Sequence, residues 1–294
     1  MMRNVVVIIP ARLNSTRLSR KMLLSETGKP LVVHTYEAAL KAKLPSMVVV
    51  ATDSPEIQDA LHQHGGKAVL TSPDLASGTD RVAEVARNLV RSGLCPEVVI
   101  NLQGDEPETD SSYIDQLADQ LLQDHDLEMG TLAAPICSPD QFQDPACVKV
   151  VVDQRQNALY FSRATIPYPR NNGFEAALFS GPPSERVFLQ HIGVYAYRLS
   201  ALFEFSRMPV SPLEKMEGLE QLRALEAGWK IRVVRIEKHF RGIDTPEDYR
   251  RFVERWQNRY TLGKQRDVTQ PLVPLEPTGA GELNTVATDS LGGN

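Results

Sequence analysis

The sequence predicts an α/β protein with a mostly parallel sheet, and three observations lead there. Short β-rich apolar runs recur at residues 5–9, 47–52, 68–70 and 98–102. The intervening segments 30–43, 55–64 and 79–91 carry apolar residues at helical spacing, as crossover helices packed on a sheet do. Beyond Thr109 the alternation gives way to a mixed order, which implies that the sheet continues with some antiparallel pairing.

In chain order, the run 5–9 is all valine and isoleucine, whose β-branched side chains favour strands. Helix 30–43 should return the chain to strand 47–52, helix 55–64 to strand 68–70, and helix 79–91 to strand 98–102. Ligands of such folds sit at the carboxyl ends of strands, so the loops after Ile9, Thr52, Leu70 and Leu102 are the ones to inspect. A helix follows at 113–123, then strands at 130–134, 148–152 and 158–162. Segment 166–184, rich in Pro, Gly and Asn, reads as a long surface loop before strand 192–197. Helix 212–227 ends at Gly228, strand 230–236 follows, and a last helix opens at Thr245 and Pro246. Residues 1–260 are expected to form one domain. Residues 261–294 lack a sustained apolar period and are expected to be a disordered tail.

Composition narrows the function. At 42% hydrophobic and 23% charged residues the chain has an ordinary globular balance. A net charge of -5 argues against a broad grip on nucleic acid. No apolar run reaches the roughly 18 residues of a membrane span, and no basic flank or cleavage site precedes the first strand, so a cytoplasmic protein without membrane insertion is expected. Cys95, Cys137 and Cys147 form neither a C-x-x-C pair nor an even set, which suits free thiols in a reducing compartment.

The first strand runs into a loop bearing Arg12, Ser15, Arg17, Arg20 and Lys21. Four cations at a ligand-binding edge suit a polyphosphate, although a solvated basic loop has the same composition. Small residues around Ser77 precede a helix whose amides could meet a phosphate; Ser77 as a plain N-cap is the simpler alternative, and leaves Arg81 unexplained. The fourth strand ends in Gln103-Gly104-Asp105-Glu106, where Asp105 faces the cleft as a candidate magnesium ligand or belongs to an acidic turn. Asp244 lies in a second such turn, and two carboxylates from separate turns suit one metal ion. Ser162-Arg163, His191 to Tyr195, and the Glu214 to Gln221 helix face carry no function on spacing alone. His62 and His64 read as an exposed helix end.

Together these segments resemble the 3-deoxy-manno-octulosonate cytidylyltransferase (CMP-Kdo synthetase) family over residues 5–255. The match runs through Ala11-Arg12, Ser15-Thr16-Arg17 and Lys21, Ala51-Thr52-Asp53, Ser77-Gly78-Thr79, Gln103 to Pro107, Tyr160 to Arg163, His191 to Tyr195, Leu219 to Arg223 and Asp244 to Asp248. The resemblance implies a three-layer α/β nucleotidyltransferase fold with a mostly parallel mixed sheet, a smaller portion used for dimerisation, and a homodimer. It implies CTP contacts from Arg12, Ser15, Arg17, Lys21, Ser77, Arg81 and Gln103, and catalytic roles for Lys21, Asp105 and Asp244, the two aspartates holding Mg2+. It assigns contacts to the acidic sugar to Gln103, Arg163, His191, Tyr195, Glu220 and Gln221.

The implied reaction is transfer of CMP from CTP to 3-deoxy-D-manno-octulosonate (Kdo) with release of pyrophosphate, the product feeding lipopolysaccharide synthesis. An 8-amino-Kdo or sialic acid cytidylyltransferase is the nearby alternative. Ser19-Arg20 stands where the family carries Pro-Gly, and Met22 where it carries Pro, so a catalytically weak CTP-binding relative is the alternative of a different class.

Overall fold

A computed structural model describes residues 4–170, 179, 182, 185–238 and 242–268. The chain divides into a large unit ending at Val253 and a second one from Glu254 onward, so the boundary falls a few residues before the expected end of the domain. The last helix, α9 (Pro246–Val268), spans that boundary and continues past residue 260. Residues 269–294, most of the expected tail, lie outside the described residues, as does most of the expected loop 166–184.

The alternation expected at the start is present as β1 (Val5–Ala11), α1 (Leu31–Leu40), β2 (Pro45–Thr52), α2 (Pro55–Gln63), β3 (Ala68–Leu70), α3 (Gly78–Arg91) and β4 (Val98–Asn101). The chain continues through α4 (Ser111–Gln123), β5 (Met129–Pro135), α5 (Pro139–Gln143), β6 (Lys149–Val152), β7 (Ala158–Ser162), β8 (Leu189–Arg198), α6 (Leu199–Phe205), α7 (Pro212–Glu217), α8 (Leu222–Glu226) and β9 (Ile231–Arg235).

Nine strands among the described residues form one sheet, with a main path β3-β2-β1-β4-β8-β5-β9. Strands β1, β2, β3 and β4 pair in parallel, β8 runs antiparallel between β4 and β5, and β9 is parallel to β5. The hairpin of β6 and β7 joins the early half of β8. Both faces of the sheet are covered, as the continuous valine and isoleucine runs require. Val5, Val7 and Ile9 pack with Val32, Tyr36, Ile114 and Leu117 of α1 and α4. Val6 and Ile8 pack on the opposite face with Val82, Val85, Leu202 and Leu222 from α3, α6 and α8. Each such side chain removed from water contributes roughly 1.5–3 kcal/mol.

One expected element is replaced by two. The helix predicted over 212–227 breaks at Gly218, which closes α7 with φ 61° and ψ 43°, a left-handed conformation that glycine adopts without a Cβ clash. Glu220 and Gln221 therefore lie in the turn between α7 and α8, not along one helical face.

Candidate active site

Lys21 sits in the short 3-10 turn Lys21–Leu23 after the cationic loop, and its side chain is buried. Its Nζ donates to Asp105 Oδ2 at 2.6 Å, to Asp244 Oδ1 at 3.1 Å and to the Ile243 carbonyl at 2.8 Å. Burial opposes the charge, but Asp105 and Asp244 outweigh it and hold the lysine above its ordinary pKa. Arg17, exposed on the same loop, reaches Asp244 Oδ1 at 3.1 Å.

Three turns far apart in sequence thus meet at the carboxyl edge of β1 and β4, and the local backbone explains how. The Ile243 amide donates to the Asp105 carbonyl at 2.9 Å. Thr35 Oγ1 on α1 donates to the Gly104 carbonyl at 2.8 Å. A Cβ on Gly104 would lie 3.0 Å from the Pro10 carbonyl oxygen and 3.1 Å from Met22 Sδ, so the turn after β4 can approach the end of β1 this closely only with glycine. Asp105 and Asp244 converge on one cation and offer hard oxygen donors, a set that fits magnesium completed by substrate phosphates. Among the described residues no three His, Cys, Asp or Glu side chains gather into a protein-only metal site. Glu106, which the sequence reading left without a role, borders this centre; burial, then Asp105 and Asp244, push its carboxyl well above the usual range.

Arg12 donates to the Leu75 carbonyl at 3.0 Å, and the Leu13 amide to Asp53 Oδ1 at 3.3 Å. Arg81 has no exposed surface. Its guanidinium binds Asp53 Oδ2 at 3.1 Å, the Ser72 carbonyl at 3.3 Å and the Thr71 hydroxyl. Without exposed surface Arg81 cannot touch a nucleotide in this state; through Asp53 it ties the first loop to segment 71–75. Ser77 caps α3 in a reciprocal box with Asp80, accepting from its amide at 3.0 Å. Ser15 is half-buried in the first loop.

Gln103 begins a continuous chain of side chains. Its Nε2 donates to Asn101 Oδ1 at 3.1 Å, Asn101 Nδ2 to Thr79 Oγ1 at 3.4 Å, and Thr79 Oγ1 to Glu220 Oε2 at 2.7 Å. Burial raises the Glu220 carboxyl against hydrogen bonds from Thr79 and Ser77 that lower it. Tyr195 OH donates to Gln221 Oε1 at 3.1 Å, and burial drives this phenol far above its ordinary pKa. His191 packs between Phe161 and Tyr195, with ring centroids 4.9 and 5.5 Å away. Thr131 Oγ1 lies 3.0 Å from His191 Nε2 and 2.9 and 3.1 Å from the Val194 and Ile192 carbonyls, so the hydroxyl joins the ring to the strand backbone. Arg163 joins the group through the α7–α8 turn, its Nε donating to the Glu217 carbonyl at 2.7 Å and Nη1 to the Pro145 carbonyl at 3.0 Å. Residues 163, 191, 195, 220 and 221 therefore surround one turn. Thr79, within a quoted motif, and Asn101, two residues before another, join them, whereas Thr131 carried no sequence signal; Asp53, also within a quoted motif, belongs to the Arg81 cluster instead.

Arg20 takes φ 53° and ψ 30°, the left-handed conformation natural to glycine, and pairs with Glu56 at the start of α2. The loop keeps a glycine-like backbone without glycine, and the arginine's charge is engaged by α2.

A family model described as cytidylyltransferase matches residues 6–235. A 3-deoxy-manno-octulosonate cytidylyltransferase of Rhodopirellula baltica is 45% identical, over 86% of this chain and 99% of its own length. The chain belongs to the 3-deoxy-manno-octulosonate cytidylyltransferase family. Another member so named, from Neisseria meningitidis serogroup A, is 46% identical over 84% of this chain and 96% of its own. A solved structure of CMP:2-keto-3-deoxy-manno-octonic acid synthetase complexed with CTP superposes with a TM-score of 0.78 at 39% identity, covering 87% of this chain and 99% of that one. A cytidylyltransferase from Leptospira borgpetersenii, at 17% identity and TM-score 0.55, shares the fold. Membership accounts for the mixed sheet, and the family match includes the loop that carries Arg20.

Proposed function

We propose that this chain transfers CMP from CTP to Kdo, releasing pyrophosphate and forming CMP-Kdo for lipopolysaccharide synthesis. The observation that carries the reading is the convergence of Lys21, Asp105 and Asp244 at the strand ends of a cytidylyltransferase family member. Arg12, Ser15, Arg17 and Lys21 hold the triphosphate, and Ser77 and Gln103 border the nucleotide, with Arg81 acting through Asp53. Arg163, His191, Tyr195, Glu220, Gln221 and Gln103 receive the acidic sugar. The sugar's anomeric hydroxyl attacks the α-phosphorus in line while the bond to the pyrophosphate oxygen breaks; positioning and fixed positive charge supply most of the rate. Magnesium held by Asp105 and Asp244, when bound, supplies charge to the phosphates and acidifies the attacking hydroxyl.

The chain Gln103–Asn101–Thr79–Glu220 supports this division of labour, because it links the nucleotide side to the sugar side without an intervening solvent-filled gap in the bonding. The glycine-like backbone at Arg20 favours an active enzyme over a weak CTP-binding relative. We further infer a cytoplasmic homodimer, with residues 1–260 carrying the activity. Magnesium-dependent pyrophosphate release from CTP, with Kdo, 8-amino-Kdo and N-acetylneuraminate offered separately, tests the reading. Release with Kdo that is lost in Asp105→Ala is the expected result; release only with another sugar reassigns the substrate, and no release with any sugar overturns it.

A further inference from the structure

Lys149 on β6 has no exposed surface, a costly place for an ammonium unless its donors are met. Its strand lies between β7 and β8, with Lys149 opposite Ser162 in one register and Gln190 in the other. It thus stands between the segments that carry Arg163 and His191. Its Nζ donates to the Arg163 carbonyl at 2.6 Å and to the Asp144 carbonyl at 3.0 Å.

Glu217 closes on the same residue from the other side, its carboxylate accepting from the Arg163 amide at 3.0 Å and from Ser162 Oγ at 2.6 Å. The guanidinium is held in turn by main-chain carbonyls of Glu217, Pro145 and Gly218. The main-chain amide and carbonyl of Arg163 and one N–H of each guanidinium nitrogen are therefore held, while the residue stays exposed. Stability alone does not favour a buried lysine here, since apolar side chains of similar volume commonly replace buried charges at no loss. What the ammonium contributes, and an apolar stem would not, is the hydrogen bond that fixes the end of β7.

We propose that Lys149 is a positioning residue that fixes Arg163 for recognition of the acidic sugar's carboxylate, acting through the Arg163 carbonyl without touching substrate. The inference rests on the reading of Arg163 as a sugar-side residue. No bond of Lys149 or Glu217 described above reaches the Lys21 or Arg81 clusters, so the effect belongs to one substrate only.

Steady-state kinetics of the full chain, with CTP and Kdo varied separately, test this. Lys149→Met is expected to raise KM for Kdo about tenfold with KM for CTP held within about twofold, the scale of one buried polar group left unmet. Lys149→Arg, which keeps charge and donors, should recover part of the loss. A merely structural role lowers thermal stability and changes both KM values alike; equal changes, or an unchanged KM for Kdo, overturn the proposal. Should Lys149→Met fail to fold, Glu217→Ala releases Arg163 from the opposite side, and the same split must appear. Wild-type turnover of Kdo is measured alongside. Its absence overturns the functional reading and this proposal together, whereas turnover without the split overturns only the role of Lys149.

Discussion

Lys21→Met perturbs the point where three turns meet. Methionine keeps the apolar stem but leaves Asp105 and Asp244 facing one another, and it removes the donor to the Ile243 carbonyl. Removing one partner of a fully buried ion pair costs about 3–5 kcal/mol. The Asp105 and Asp244 side chains keep 24% and 34% of their exposure, so water and salt recover part of that loss. A destabilisation of about 2 kcal/mol is expected. Lys21 titrates above its usual 10.5, so its contribution is fully present below that pH and fades as pH rises through the folded value; urea unfolding at neutral pH samples all of it. The variant's uncompensated carboxylates should also make a better cation site. Magnesium at ten times its Kd returns about 1.4 kcal/mol of stability to such a site, and the wild type, already neutralised by lysine, gains less. Loss of a fixed cation beside the transferring phosphate should lower kcat/KM by about 10²–10³. A variant as stable as wild type without magnesium, and still turning over at more than about a tenth of its kcat/KM, would refute the reasoning.

Three further outcomes follow from the same geometry. Arg81→Met should lower stability by about 3 kcal/mol in urea unfolding and raise KM for CTP, and a cycle with Asp53→Asn should show coupling above about 1 kcal/mol; additivity would mean that the pair does not act as a unit. Burial, aided by Lys29, holds His34 at a pKa of about 3 instead of 6.5. Acidification from pH 6.5 toward 3 therefore protonates the unfolded chain first and withdraws stability, up to roughly 2–3 kcal/mol by pH 4.5; His34→Gln should flatten that part of the profile, and an unchanged acid slope would contradict it. Arg20→Gly should melt at the same temperature or higher, and Arg20→Val several degrees lower, since a β-branched residue resists the left-handed backbone; the reverse order would show that the Glu56 pair outweighs conformation.

Much of the sheet was readable because β-branched runs signal strands buried on both faces, and of the four loops singled out, those after Ile9 and Leu102 meet at Lys21. Other features had no local signal. The insertion of β8 between β4 and β5 depends on packing between distant segments. The break at Gly218 is hidden because Leu213, Met216, Leu219 and Leu222 recur at every third residue through the glycine. Lys149 and Arg81 carry charges that ordinarily mark a solvated face, and only the register of β6 and the pairing with Asp53 explain their burial. Ser77 shows the reverse case: the N-cap alternative holds, and the same side chain also bonds to Glu220.

The distance in sequence between Lys21 and Asp244 has a consequence for how the protein is made. Asp244 follows β9, so a ribosome-bound chain holds Lys21 and Asp105 long before their third partner exists. During that interval one carboxylate and one ammonium can pair, but the two-aspartate cradle has not been assembled. On the proposed reading, in which Asp105 and Asp244 hold magnesium beside the triphosphate, that competence would arrive late in synthesis, after the strands of the sheet have been translated.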